Sequence, residues 1–328
     1  MIAVTGANGL LGSFIVRELI AHNQPFVALK RSGSDTSLLN DVAHNITWRD
    51  ADVLDAVALT EAFQDVTHVF HTAAIVSFNP RRAKEVMDIN VQGTRHVVNA
   101  CLMHGVKRLV HISSVSALGR QKDQRHIDES NKWVDSPLNS VYGQSKYFAE
   151  LEVFRAQEEG LSTVMLNPSV ILAPADWARS SAQLFKYVWD EKKFYIDGYL
   201  NYVDVRDVAS LSYQLLNHPA EAERFIASAG NITFSDFFSS IARKFNKKSP
   251  SIKLSKNLLS VVASFETFRS NVMGTEPLIT KETARLAGTE FLYDNAKVRK
   301  GLNFEFQPFD KTLQWCCEYY TKKNEGKK

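Results

Sequence analysis

Tyr142 and Lys146 stand at the two ends of Tyr142-Gly143-Gln144-Ser145-Lys146. On a helix, residues four apart share one face, a turn from each other. A free phenol has a pKa near ~10, too high for ready proton exchange at neutral pH. A nearby ammonium stabilises the phenolate, so the two groups together make a usable acid/base. Taken alone, this spacing arises by chance in many helices. Ser114 adds a third group, at the end of His111-Ile112-Ser113-Ser114. Its hydroxyl could hydrogen-bond a carbonyl oxygen and orient it toward the phenol. Ser113 is the rival for that role.

A second constellation opens the chain. Thr5-Gly6-Ala7-Asn8-Gly9-Leu10-Leu11-Gly12 carries glycines at 6, 9 and 12. Glycine permits a tight turn and lets backbone N–H groups approach a pyrophosphate closely. The pyrophosphate then rests on the positive end of the helix that follows. In such a unit the end of the second strand selects the cofactor: an acid there suits the ribose of NAD, an arginine the 2′-phosphate of NADP. The sequence offers Leu29-Lys30-Arg31-Ser32, two cations and a hydroxyl that suit a phosphate dianion. Arg31 therefore points to NADP(H) over NAD(H). The competing residue is Asp35, four positions further on.

The elements that must position these groups alternate. Short apolar runs at 2–5, 25–29, 46–48, 68–71, 108–113 and 163–166 read as strands. Segments 10–22, 57–63, 90–104 and 141–160 read as helices, with Leu11, Ile15, Leu19 and Ile20 on one face of the first. Asn167-Pro168 should stop the strand before it. Alternating β and α units imply a Rossmann-type doubly wound parallel sheet with helices on both faces. Each candidate group then falls at a strand's C-terminal end or a helix's start, where such sheets bind ligands. After Pro168 the rhythm breaks, then returns in a strand at 201–203 and a helix at 208–216. We read residues 1–166 as the dinucleotide-binding domain, with returning pieces near 201–228. Residues 167–328 form a smaller, discontinuous substrate domain.

Composition narrows the function classes. The 328 residues are 45% hydrophobic and 23% charged, an ordinary globular balance. The net charge of +3, from 39 basic and 36 acidic residues, is too small to argue for nucleic acid. The cluster Lys244, Lys247, Lys248, Lys253 and Lys256 reads as a solvated helix end and loop. No apolar run approaches the ~18–20 residues of a membrane span. The three cysteines lack metal-ligand spacing, and Cys316 and Cys317 are poorly placed to pair. His71 could touch cofactor, but neither it nor His111 has partners at metal spacing, so no metal is assigned. The chain runs from Met1 straight into the glycine motif, without a signal peptide. The expected setting is cytoplasmic.

Eight segments in order resemble the extended short-chain dehydrogenase/reductase superfamily, of the epimerase/dehydratase type. They are TGANGLLG (5–12), DVLD (52–55), HTAA (71–74), NVQGT (90–94), HISSVSALG (111–119), YGQSK (142–146), NPSVILAP (167–174) and YVDVRDVA (202–209). Within that branch, the likeness is greatest to NADPH-using reductases related to dihydroflavonol reductase. Sugar-nucleotide members usually carry an aromatic residue at Leu118 and often Arg-Pro at Asn167-Pro168, so these departures weigh against that group.

The resemblance implies catalytic roles for Ser114, Tyr142 and Lys146. It implies adenine contacts from Asp52 and Val53 and a phosphate–ribose path along Thr72, Ala73 and Ala74. Pro168, Ser169 and Val170 would lie along the nicotinamide, and Asn90 would hold neighbouring backbone. The implied activity is reduction of an aldehyde or ketone. The alternatives are an NAD-dependent epimerase, dehydratase or hydroxysteroid-type dehydrogenase, and a non-catalytic NADP sensor. Candidate substrate-lining residues are Val76, Phe78, Ser116, Phe185, Tyr195 and Tyr199. In the superfamily, the helices at 90–104 and 141–160 commonly pair with their copies, so a homodimer is expected.

Overall fold

In the computed structural model, residues 1–122, 124–177, 181–255, 259 and 288–325 are described. Seven parallel strands make the main sheet: β1 (Ile2–Thr5), β2 (Phe26–Lys30), β3 (Trp48–Asp50), β4 (His68–His71), β5 (Arg108–Ile112), β7 (Thr163–Pro168) and β11 (Glu223–Ala227). The two-residue strand β6 (His126–Ile127) lies outside it. The order across the sheet is β11-β7-β5-β4-β1-β2-β3. It reverses direction between β1 and β4, which is where an open α/β sheet forms its ligand crevice.

Alternate side chains of each strand enter opposite faces. On one face Val4, Phe70, Val110 and Leu166 pack with Ile15 and Leu19 of α1 (Leu10–Ala21) and with Val208, Leu211 and Leu215 of α7 (Val205–Leu216). On the other, Ala3, Val69, Leu109 and Met165 meet three helices: α2 (Ala56–Ala62), α4 (Gly93–Met103) and α5 (Val141–Glu158). The short helix α3 (Ala83–Met87) runs into α4 through one π-helical turn at Asp88–Gln92. Gly93, at the start of α4, lets the helix approach β3's exit. A Cβ there would meet Val53 Cγ2 at 2.8 Å.

The same alternation makes a polar row at the C-terminal edge. Thr5, His71 and His111 follow Ala3, Val69 and Leu109 on the α4/α5 face and are paired neighbours in register. All three are buried.

The remaining elements form a smaller layer at that edge. β8 (Val170–Leu172), β10 (Tyr199–Asp204) and β12 (Gly230–Thr233) make a three-stranded sheet. β9 (Phe194–Tyr195) pairs with β13 (Ile252–Lys253), and β14 (Leu292–Tyr293) with β6. Their core joins Phe185 of α6 (Ala182–Trp189), Phe237 and Ile241 of α8 (Phe234–Phe245), and Leu313 and Tyr320 of α9 (Phe309–Glu325).

Four sequence expectations change. The third strand lies at 48–50 rather than 46–48, because Trp48 rather than Ile46 pairs with Ala28. Asn167-Pro168 does not stop β7: both residues pair with β11, where Pro168 opposes Ala227. The strand read at 201–203 is longer and belongs to the small sheet, so the pieces that return to the main layer are α7 and β11. Phe185 is core, not substrate lining.

The lysine cluster is largely neutralised: Lys244 pairs with Asp310, Lys247 with Glu191 and Lys253 with Asp197. Lys256 lies outside the described residues. Among the described residues, no helix is long and apolar enough to cross a membrane, and no His/Cys/Asp/Glu group could hold a metal ion. Cys101, Cys316 and Cys317 are free and buried.

Candidate active site

The glycine loop forms the cradle its spacing predicts. Gly6 has φ +66°, and a Cβ on it would meet the Ala73 backbone at 2.8 Å. Gly9 N donates to Gly6 O at 2.9 Å, closing the turn. Gly9 caps α1 without a side-chain bond, so the first amides of the helix, at Leu10, Leu11 and Gly12, have no side-chain acceptor. The Leu10 and Leu11 side chains turn into apolar clusters, which leaves their main chain to serve a ligand.

Neighbouring segments are tied to this loop. Thr72 Oγ1 donates to Thr5 O at 2.7 Å, bringing Thr72, Ala73 and Ala74 against β1. Asn8 Nδ2 donates to Asp35 O at 2.9 Å and fastens the loop that follows β2. At the end of β2, Lys30 pairs with Asp50 at 2.6 Å, so one of the two expected cations is taken. Arg31 is exposed. The Asp35 carboxylate accepts from Ser37 N and Ser37 Oγ, at 2.9 and 2.8 Å. Beyond β3, Asp52 accepts from Leu54 N at 2.9 Å, and Val53 is buried against Gly93.

Ser114 stands two residues beyond β5 with extended backbone, φ −161° and ψ 151°. Its Oγ accepts from Ser116 N at 3.1 Å and so keeps its own proton to donate. Tyr142 stands in the first turn of α5 beside that hydroxyl. Phe78 meets the phenol ring edge-on at 5.9 Å between centroids. Ser113, the rival, is buried with its hydroxyl unpartnered.

Lys146 is buried one turn along α5 and donates to Ile112 O at 2.7 Å. Burial pushes the phenol of Tyr142 up to about 12, opposed by the nearby Ser114 hydroxyl. Burial lowers the Lys146 ammonium to about 8, opposed by the charge of Glu150. Burial thus moves the two groups in opposite directions, each toward its neutral form.

His71 is buried with both ring nitrogens engaged inside the protein. Its Nδ1 and Nε2 are bridged by Thr5 Oγ1 at 2.8 Å and Thr94 Oγ1 at 2.9 Å. Thr94 Oγ1 donates to Asn90 O, so it accepts from Nε2–H, and Nδ1 takes the Thr5 proton. Burial and the Lys146 charge hold the ring neutral, at about 3. Asn90 holds main chain as expected. Its amide accepts from Ile75 N at 2.9 Å and donates to Ile75 O at 3.0 Å and Ser145 Oγ at 2.9 Å. The π-helical turn aims it there, a recurrent feature of functional sites. Pro168 and Ser169 are buried at the end of β7, Ser169 with an unpartnered hydroxyl, and Val170 is exposed.

Sequence reasoning missed Glu150, Asn167 as a donor, and Arg224. Glu150 sits four residues after Lys146 on the same helical face, a spacing that could have flagged it. Arg224 is distant in sequence and carries no such signal.

The chain belongs to the NAD dependent epimerase/dehydratase family, whose profile matches residues 2–227. It is 28% identical over 300 residues to a putative dihydroflavonol 4-reductase of Synechocystis sp., covering 90% of this chain and 87% of the relative. It is 29% identical over 241 residues to cinnamoyl-CoA reductase 1 of Oryza sativa subsp. japonica, covering 69% and 70% of the two chains. Among solved structures, that of gox2253 superposes with a TM-score of 0.84 at 28% identity, covering 98% of each chain. An NAD(P) cofactor is typical of the family, and the cradle fits one: glycines where a Cβ would intrude, and a helix start without a cap.

Proposed function

We propose that the protein is a cytoplasmic, NADPH-dependent reductase that converts an aldehyde or ketone of a small organic substrate to an alcohol. The observation that carries this reading is the convergence of Ser114, Tyr142 and Lys146 at the sheet's C-terminal edge, beside the glycine cradle. The similarity to reductases supports the same class of reaction.

The amides at the start of α1 would hold the pyrophosphate. Arg31 would take the 2′-phosphate, and Asp52 with Val53 the adenine. Thr72, Ala73 and Ala74 would follow the ribose path, and Lys146 would bond the nicotinamide ribose. Pro168, Ser169 and Val170 would flank the nicotinamide. When bound, the cofactor supplies a hydride to the carbonyl carbon. Tyr142 gives its proton to the carbonyl oxygen, and Ser114 hydrogen-bonds the same oxygen. A lysine cation near the phenol favours that transfer. The commitment of Asp35 to Ser37 supports NADP over NAD. The expected homodimer would form through α4 and α5, which expose Met103 and Leu151.

The test is a titration of purified protein with NADPH and NADH side by side, followed by a screen of aldehydes and ketones. Tighter NADPH binding with carbonyl-dependent NADPH oxidation is the expected result. Equal or tighter NADH binding would overturn the cofactor assignment and direct the search to sugar nucleotides and hydroxysteroid-like alcohols.

A further inference from the structure

Glu150 is fully buried at the middle of α5, and both carboxylate oxygens are engaged. Oε1 accepts from Asn167 Nδ2 at 2.6 Å. Oε2 accepts from Arg224 Nε and Nη2, each at 2.8 Å. Asn167 Nδ2 also donates to Ser114 O at 3.0 Å. One turn earlier on α5, Lys146 donates to Ile112 O. The helix therefore grips the exit of β5 at two alternate carbonyls. It reaches one directly through Lys146 and the other through Glu150 and Asn167, with Arg224 of β11 as counter-ion.

We propose that Glu150 is a positioning residue: held by Arg224, it fixes Asn167 and thereby the main chain of Ser114 in register with Lys146 and Tyr142. The inference rests on the reading of Ser114, Tyr142 and Lys146 as the reacting groups. Burying a carboxylate and a guanidinium is costly, and a packed apolar pair commonly serves stability as well. Stability alone therefore does not account for the pair. Its geometry does what an apolar pair cannot: it spans four elements with directed bonds that end on the main chain of Ser114. Its charge also has a local use. The groups facing Lys146 are Tyr142 and Glu150 from its own helix, His71 from β4 and His111 from β5. Both imidazoles are kept neutral by burial and by the ammonium. Glu150 is the anion that favours the protonated lysine.

The experiment follows Lys146 directly, by NMR of protein labelled with [13Cε]lysine, with Lys146→Arg to assign the resonance. It compares the parent protein, Glu150→Gln and the double variant Glu150→Gln/Arg224→Met. In both variants we expect the Lys146 midpoint to fall by about one pH unit or more. We also expect kcat to fall about 10- to 100-fold, as for small misplacements of reacting groups. Cofactor Kd should stay within about threefold and the basic limb of kcat/KM should move with the midpoint. The double variant removes the uncompensated charge, so it keeps the test open where the single variant fails to fold. An unchanged Lys146 midpoint in a folded variant overturns the proposal. A shifted midpoint in a protein whose parent reduces no carbonyl supports the positioning and overturns the reaction on which it rests.

Discussion

In the proposed reaction Tyr142 is the proton donor, and its surroundings make its loss easy to read. The phenol is half-buried beside Ser114 and Phe78, so Tyr142→Phe removes one hydroxyl and leaves the ring packing intact. Turnover should fall by about 100-fold or more, the scale of general acid catalysis, with NADPH affinity nearly unchanged. Retained turnover would remove Tyr142 from the proton-transfer role. Arg31 is the companion test. A charge-assisted bond contributes about 1.5–3 kcal/mol, so Arg31→Ala should weaken NADPH binding by about 10- to 100-fold and leave NADH binding nearly unchanged. Equal losses for the two cofactors would strip Arg31 of the phosphate role. At this scale the sequence was most informative where chemistry needs a fixed local spacing, as in Tyr142 and Lys146. It was less informative for His71, whose place at a strand end suggested a cofactor contact. Strand alternation instead turns it inward, onto Thr5 and Thr94.

The glycine loop and α1 act as one element. A Cβ on Gly12 would fall well inside contact with the Gly6 carbonyl. Gly12→Ala must therefore push the helix start away from the turn, at a cost of about 1–3 kcal/mol for overpacking. Cofactor affinity should fall by more than stability does, because the displaced amides are the ones that would meet the pyrophosphate. Gly301 is the control: a Cβ there has open space, so Gly301→Ala should change stability by no more than about 0.5 kcal/mol. Denaturant unfolding and cofactor titration of both variants check this, and equal effects would refute the close-packing argument. Four elements were legible within a residue or two: α1, α5, β1 and β4. Errors came where tertiary pairing overrode local signals. Pro168 reads as a stop, yet it sits at a strand end opposite Ala227 of an edge strand, where a missing N–H costs little.

At the scale of the molecule, α9 is docked onto the start of α7 by two buried carboxylates. Asp204 accepts from Thr312 Oγ1 at 2.7 Å and Asp207 accepts from Gln307 N at 2.9 Å. Burial raises the Asp207 carboxyl to about 7, against its ordinary 3.8. A carboxyl with a raised folded-state pKa favours the folded protein while protonated. That contribution is complete below about pH 4 and is lost as pH rises through about 7, on the order of a few kcal/mol. Asp207→Asn keeps an acceptor for Gln307 N and removes the charge. The variant should melt higher than the parent at pH 8, with the difference shrinking toward pH 5. A pH-independent difference would show that Asp207 does not titrate in this range. The alternation of strands and helices, the parallel sheet and the choice of Ser114, Tyr142 and Lys146 as candidate reacting groups follow from local patterns in the chain, because helix and strand periods and glycine turns are local physics. The Glu150–Arg224 pair, the neutral His71 and the docking of α9 depend on groups that folding brings together from far apart. Their partners, burial and charge states exist only once the layers have packed.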